Sequence, residues 1–273
     1  MPAFDTSAEA LARIHPANPL QHALAIRDAD IPRMVTEALA LDRARLVFMP
    51  VVAAAGSRRT AFHEGLIRLL DEEGRMIPAG SFMGAVEETG MARDIDAIAL
   101  RLGLHMLRSN PHMRLAINMS ARSIGDGTFR RTLEEGMRQT PRIGERLILE
   151  ISENSAMLMP EVVIRFMAEF RPHGITFALD DFGAGLTAFK YLRDFLFDMV
   201  KIDTIFIRGI HTSPDNQVVT EALLSVAHQF GMFAVAEGVE TIEEAAFLQD
   251  LGVDCLQGYL FGVPTATPSD RNG

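Results

Sequence analysis

Ala178-Leu179-Asp180-Asp181-Phe182-Gly183-Ala184-Gly185 is the stretch on which the fold turns. Ile175 to Ala178 read as the body of a strand, and the run through Phe182 as its end. An apolar strand that finishes in two aspartates and opens into a glycine loop sets two negative charges where strand gives way to loop. Adjacent like charges are costly to hold unless a cation lies beside them. Two readings stand here: a divalent-metal site at the mouth of a parallel β/α fold, or a solvated structural turn.

Outward from this strand, apolar runs alternate with helical patterns. Strands are predicted over 46–53, 60–68, 115–120, 147–152, 176–182, 199–203, 233–239 and 255–261. Helices are predicted over 31–41, 81–88, 95–109, 128–139, 161–173, 188–194, 216–230 and 243–251. Alternation of this kind implies a parallel sheet covered by helices. The first two strands are the exception. Only Ala54 to Arg59 join them, and a parallel pair needs a crossover of about a dozen residues. They must form an antiparallel hairpin. Eight strands, the first reversed, predict a TIM-like (β/α)₈ barrel, with a doubly wound open sheet as the alternative. Residues 1–29 carry short helical patterns broken by Pro16 and Pro19 and read as an extension or linker.

The 273 residues carry a formal charge of −10, which disfavours long nucleic acids and anionic membrane surfaces. Cys255 is the sole cysteine, so no internal disulfide forms, and the expected compartment is the cytoplasm. No apolar run approaches the ~20 residues of a membrane span, and the N-terminus lacks the pattern of a signal peptide.

Polar residues gather at the predicted strand ends: Glu64, Asn118, Glu150, Glu153, Asp180, Asp181, Lys201, Asp203, Glu237, Glu240 and Gln257. In such barrels the strand C-termini converge on one mouth. Carboxylates with an amide oxygen suit Mg²⁺ or Mn²⁺, and a paired aspartate could hold two ions. A lysine could orient a water and a glutamate could take its proton. Singly, each has a plainer role: Asn118 a cap, Lys201 an ion pair, a strand glutamate a surface group. The histidines show no metal-ligand spacing, which argues against zinc. His63, next to Glu64, points to the opposite face and reads as structural.

From Leu46 to Pro264 the ordered motifs resemble the EAL-domain cyclic di-GMP phosphodiesterases. They are Glu64-Gly65-Leu66 with Arg68, Glu87-Glu88-Thr89-Gly90 with Asp96, and Asn118-Met119-Ser120-Ala121-Arg122. Leu149-Glu150-Ile151-Ser152-Glu153, Asp180-Asp181-Phe182-Gly183 and Val200-Lys201-Ile202-Asp203 follow, then Ala236-Glu237-Gly238-Val239-Glu240 and Gln257-Gly258-Tyr259. The resemblance implies an EAL domain over 30–266, a tail over 267–273, and metal-dependent hydrolysis of cyclic di-GMP to linear pGpG. It implies that Glu64, Asn118, Glu150 and Asp180 bind one Mg²⁺ or Mn²⁺, and that Asp180 and Asp181 hold a second. Glu237 would be the general base and Lys201 would position the water. Gln257 would complete the metal-side shell and bind substrate, Arg68 would contact phosphate or ribose, Asp96 a guanine edge, and Pro264 a base. Glu153 would brace the loop after Asp181. A homodimer and a regulatory protein partner are implied in the same way.

The chain departs from that pattern in four places. Gly65 replaces the usual alanine and is expected to loosen the backbone beside Glu64. Met49 stands for a common glutamine and Gly84 for a common proline. After the aspartate pair, Leu186-Thr187-Ala188 replace Tyr-Ser-Ser. The loss of most of those hydroxyls motivates an alternative function: a cyclic di-GMP receptor with weak or no turnover.

Overall fold

The structure, a computed structural model, describes residues 19–185 and 189–269. Leu186, Thr187 and Ala188 lie outside the described residues, as do Ala8 to Ile14 and the last residues of the tail.

Strand β1 (Ala44–Ala53) and strand β2 (Thr60–Leu70) form the antiparallel hairpin that their short connection requires. Six strands then follow in parallel around the sheet: β4 (Leu115–Asn118), β5 (Leu147–Ser152), β6 (Thr176–Phe182), β7 (Met199–Ile202), β8 (Phe233–Ala236) and β9 (Cys255–Gln257). Strand β9 meets β1 antiparallel, with Val51 opposite Gln257, and β1 meets β2, so the sheet closes on itself. The barrel has eight strands and β1 alone is reversed.

A ninth strand, β3 (Met76–Pro78), extends β2 outside the barrel and was not expected from the sequence. It is only three residues long and mostly exposed, too short for periodicity to register. Its turn is built by Asp71, whose Oδ1 accepts from the Glu73 and Arg75 amides at 3.0 and 2.8 Å.

The helices lie outside the barrel: α1 (Pro19–Ala40), α2 (Met83–Val86), α3 (Gly90–Ser109), α4 (Gly127–Gln139), α5 (Glu153–Leu158), α6 (Pro160–Phe170), α7 (Phe189–Leu192), α8 (Thr204–Ile207), α9 (Pro214–Gln229) and α10 (Ile242–Leu251). The expected helix over 31–41 starts earlier and runs continuously from Pro19, carrying Pro32 inside it. Proline removes one helical hydrogen bond. Burial of Ile31, Val35 and Ala38 against Leu69, Phe82 and Ile95 holds the helix across that gap.

Strands β4 to β8 are apolar on both faces, as parallel strands between a core and a helix layer must be. Their outward side chains, such as Ile117, Leu149, Phe177, Leu179 and Val200, pack under the helices. The inward side chains of the barrel strands fill its interior: Val51, Phe62, Ala116, Ile148, Ala178, Met199 and Val235, with Cys255 against them. Cys255 is therefore a small apolar core group, and burial lifts its thiol to about 11.

Arg146 pins the connection between α3 and β4. Its Nη1 donates to the carbonyls of Leu107, Asn110 and Met113 at 2.8, 2.9 and 3.2 Å. Arg146→Ala strands those carbonyls and is expected to cost about 1–3 kcal/mol in urea unfolding, with the slope unchanged. A loss below about 0.5 kcal/mol would show that water satisfies them equally well.

Candidate active site

Side chains along a strand alternate between faces, so the next inward position lies two residues on. Stepping two residues from the inward apolar groups gives the site. Phe62 leads to Glu64, Ala116 to Asn118, Ile148 to Glu150, Ala178 to Asp180, Met199 to Lys201, Val235 to Glu237 and Cys255 to Gln257. Met49, on the reversed strand, pairs with Glu64 and supplies the apolar member of the group. Seven of the polar residues read from the strand ends are thus one band lining the C-terminal mouth.

Lys201 is the centre of this band and is 1% exposed. Its Nζ lies 2.7 Å from Glu237 Oε1, 3.0 Å from Glu150 Oε2, 3.3 Å from Glu64 Oε2 and 3.3 Å from Asp180 Oδ1. Glu64 is held further by Asn118 Nδ2 at 2.8 Å on Oε1 and by Gln257 Nε2 at 2.5 Å on Oε2. The ion-pair reading of Lys201 and the site reading are therefore the same geometry, while Asn118 serves as a donor to Glu64 rather than as a cap.

Two adjacent residues of a regular strand cannot face the same way. At Asp180-Asp181 the pairing of β6 with β7 slips between Leu179 and Phe182, and Asp181 adopts φ +56°. That bulge turns both carboxylates to the mouth. Oxygens of Asp180, Asp181 and Glu237 all lie within 4.8 Å of one another. The turn that follows hangs on Glu153, which is 0% exposed. Its Oε2 accepts from the Gly183 and Gly185 amides at 3.0 and 3.4 Å. Gly183 sits at φ +94°, a conformation that favours glycine.

The electrostatics follow from burial. Desolvation lifts Glu237 to about 8 against the pull of Lys201, with Asp180 and Glu64 adding repulsion. Burial lifts Asp181 to about 6, with Asp180 and Asp203 behind it. Glu150 and Asp180 are raised by burial too, and Lys201 offsets only part of that. Burial also pushes Glu64 up, but Lys201, Gln257 and Asn118 together hold it below its ordinary value. Burial pulls the Lys201 ammonium down, yet Asp180, Glu150, Glu237 and Glu64 outweigh that pull and hold it well above the usual lysine range.

Four carboxylates on one ammonium, with Asp181 beside Asp180 and Glu237, leave four negative charges uncancelled when all are ionised, the amount that two divalent cations supply. Glu150 Oε1 and Gln257 Oε1 are buried without a hydrogen-bond donor, and Asp180 Oδ1 has the Lys201 ammonium at 3.3 Å beside it. Hard oxygen donors left over in an acidic, buried ring fit Mg²⁺ or Mn²⁺.

Other predicted residues stand apart from this ring. Arg68 is half-buried farther along β2, with Nη1 on the Ile67 carbonyl at 2.9 Å. Asp96 on α3 is 6% exposed, and its Oδ2 accepts from the Ser120 amide and the Ser123 hydroxyl at 2.8 and 2.6 Å. Burial lifts it to about 6, and those two bonds oppose the rise. It also lines a cavity with Leu66, Met83 and Asn118. Pro264 is half-buried beside Thr265, which bridges to Phe48. Asp203 caps α8 through the Ile205 amide at 2.7 Å, and His63 lies on the outer face against the Ser269 carbonyl at 3.2 Å.

Gly65 does not loosen the barrel. A Cβ there would meet Ile117 Cδ1 at 2.9 Å, and the same methyl occupies the space above Gly103. Ile117 fills the room that the missing methyl leaves. Gly65→Ala, which restores the family's residue, is expected to cost about 1–3 kcal/mol through overpacking and to bring no gain in activity. A variant as stable as the parent would show that Ile117 moves aside freely.

Residues that the strand-end pattern did not mark also line the mouth. Thr204, Arg208 and Tyr259 border a cavity of about 330 Å³ together with Glu64, Glu237 and Gln257. Thr204 and Arg208 sit in and after the short α8, where no strand ending points to them.

The sequence profile described as EAL domain matches residues 33–264. Signaling protein YkoW of Bacillus subtilis is 30% identical over 235 residues, 85% of this chain and 29% of that protein. Cyclic di-GMP phosphodiesterase NbdA of Pseudomonas aeruginosa is 28% identical over 245 residues, 88% of this chain and 31% of that protein. The chain spans about 30% of the length of these relatives. The FimX EAL domain from Pseudomonas aeruginosa, solved bound to c-di-GMP, superposes with a TM-score of 0.79 at 24% identity, over 87% of this chain and 97% of that one. That likeness is one of fold. No helix among the described residues is long and apolar enough to cross a membrane.

Proposed function

This chain belongs to the EAL domain family, and on that premise we propose that it hydrolyses one phosphodiester bond of cyclic di-GMP to give linear pGpG. The observation that carries this reading is the set of four carboxylates on Lys201, with Asp181 beside Asp180 and Glu237 and buried oxygens of Glu150 and Gln257 left without donors. Glu64, Asn118, Glu150 and Asp180 would hold one Mg²⁺ or Mn²⁺, and Asp180 with Asp181 a second. Such ions supply Lewis-acid polarisation of the phosphoryl oxygens and a more acidic water.

The chain's own groups do the rest. Glu237, lifted toward neutral pH by burial, takes the proton of the attacking water on a carboxylate oxygen. Lys201, 2.7 Å from that carboxylate, orients the water and meets developing negative charge. The water oxygen bonds to phosphorus as the bond from phosphorus to a ribose 3′ oxygen breaks. Gln257 and Arg68 contact the substrate from the mouth, Asp96 and Pro264 contact its bases, and Glu153 keeps the Gly183–Gly185 turn in place. The homodimer and the regulatory partner implied by the family belong to the same reading.

Incubation with cyclic di-GMP and Mg²⁺ or Mn²⁺, followed by chromatography for pGpG, tests it. Retained binding with no linear product at stoichiometric enzyme favours the second reading, a receptor. That reading draws on Leu186-Thr187-Ala188, where Thr187 alone keeps a hydroxyl of the family's three.

The same residues set a pH dependence. Asp96 and Asp181 titrate at about 6 and Glu237 at about 8 in the fold, against about 4 in an unfolded chain. The folded state therefore binds more protons, and this contribution to stability is full below about pH 4 and lost as pH rises through 6 to 8. With EDTA the protein is expected to melt lower at pH 8.5 than at pH 6, and Mg²⁺ to shrink the difference by cancelling the freed charges. Equal melting temperatures at both pH values in EDTA would contradict these assignments.

A further inference from the structure

The loops after β7 and β8 bring together a pair on the rim that the reaction as described does not use. Arg208 Nη2 donates to Glu240 Oε1 at 2.7 Å. Their side chains are 62% and 44% exposed, and an ion pair that open would ordinarily be loose and worth little. This one is built on a buried scaffold. Glu244, 4% exposed, accepts from the Gly209 amide at 2.7 Å on one oxygen. On the other it accepts from the Glu240 and Thr241 amides at 2.8 and 3.0 Å. One buried carboxylate thus fixes the backbone beside Arg208 and that of Glu240 in a single frame, and Thr241 with Glu244 closes a capping box at the start of α10.

The frame aims at the site. Arg208 and Glu240 line the same cavity as Glu64, Glu237 and Gln257, and Arg208 is the one cation among the described residues that line it, with Lys201 buried beneath. A cyclic dinucleotide carries two phosphodiesters, and only one is at the reacting centre. The other is an anion that must rest near a strongly acidic ring. A guanidinium with one nitrogen committed to a carboxylate keeps donors for a second anion.

We propose that Arg208, steered by Glu240, is a substrate-positioning residue that binds the non-reacting phosphodiester of the dinucleotide. The proposal rests on the cyclic di-GMP reading above. The contact is the same before and at the transition state, so it contributes to affinity and not to the chemical step. Glu240 sets which way the guanidinium points and limits the substrate to one that offers an anion there.

The test is steady-state hydrolysis of cyclic di-GMP with Mg²⁺ by parent, Arg208→Gln, Arg208→Lys and Glu240→Gln, with calorimetric binding of cyclic di-GMP in Ca²⁺ and a thermal melt for each. Arg208→Gln is expected to raise KM and the dissociation constant by roughly tenfold or more while kcat stays within about twofold. Arg208→Lys should recover part of that loss and Glu240→Gln should show a smaller rise, with all melts near the parent's. A parent that binds while Arg208→Gln binds and turns over equally well overturns the proposal alone. A fall in kcat at unchanged KM overturns it as well. A parent that binds no cyclic di-GMP overturns the substrate reading and this proposal with it.

Discussion

Glu237→Gln is expected to lower hydrolysis of cyclic di-GMP by roughly 10²–10⁴-fold while leaving binding of the dinucleotide within a few-fold of the parent. The substitution keeps the shape of the side chain and removes only its capacity to take a proton. It separates chemistry from folding for a specific reason. Burial and the neighbouring Asp180 and Glu64 already disfavour the charged carboxylate, and hold it at about 8. A neutral amide there is what the metal-free fold prefers, so the melt should not fall. Single-turnover kinetics with calorimetric binding make the comparison. Hydrolysis at the parent's rate would remove Glu237 from the role of base.

Lys201→Met is the second large effect, and it falls on stability as well as on turnover. The ammonium is the shared partner of Glu64, Glu150, Asp180 and Glu237, three of them 3.0 Å or farther away and one at 2.7 Å. Removing one member of a buried charge cluster costs about 3–5 kcal/mol because the charges left behind stay desolvated and repel. For a domain of this size that is a drop of roughly 10 °C or more in EDTA. Mn²⁺ should recover much of it by replacing the lost positive charge, yet turnover should stay absent. A metal-free variant that melts like the parent would mean that the ring folds with its carboxylates protonated and needs no internal cation.

Much of this site could be read from the chain because parallel barrels place their chemistry at strand ends, and strand ends leave a local mark. Leu149-Glu150-Ile151 and Val200-Lys201-Ile202 are apolar runs interrupted by one ionisable residue, a pattern that an apolar core would not select. The features that escaped have no such mark. Strand β3 is three residues long, and α1 runs past a proline that usually ends or kinks a helix. The expectation that Gly65 loosens the site failed because its space is taken by Ile117, 52 positions away in sequence. The Arg208–Glu240 pair joins two loops through a third residue, Glu244, and only packing brings these together.

By itself the sequence determined the hairpin of β1 and β2, since six connecting residues cannot carry a parallel crossover. It determined the barrel, the family motifs and which strands end in acid or amide groups. The tertiary structure alone decided how the pair Asp180-Asp181 acts as a unit. Strict alternation would send one carboxylate inward and the other outward. The slip in the β6–β7 pairing and the left-handed turn at Asp181 bring both to the mouth, beside Glu237. It also decided that Lys201 stands among four of the acids. Both outcomes depend on closure. Until the eight strands form a ring, carboxylates more than a hundred residues apart share no dielectric, no neighbour and no common charge to neutralise.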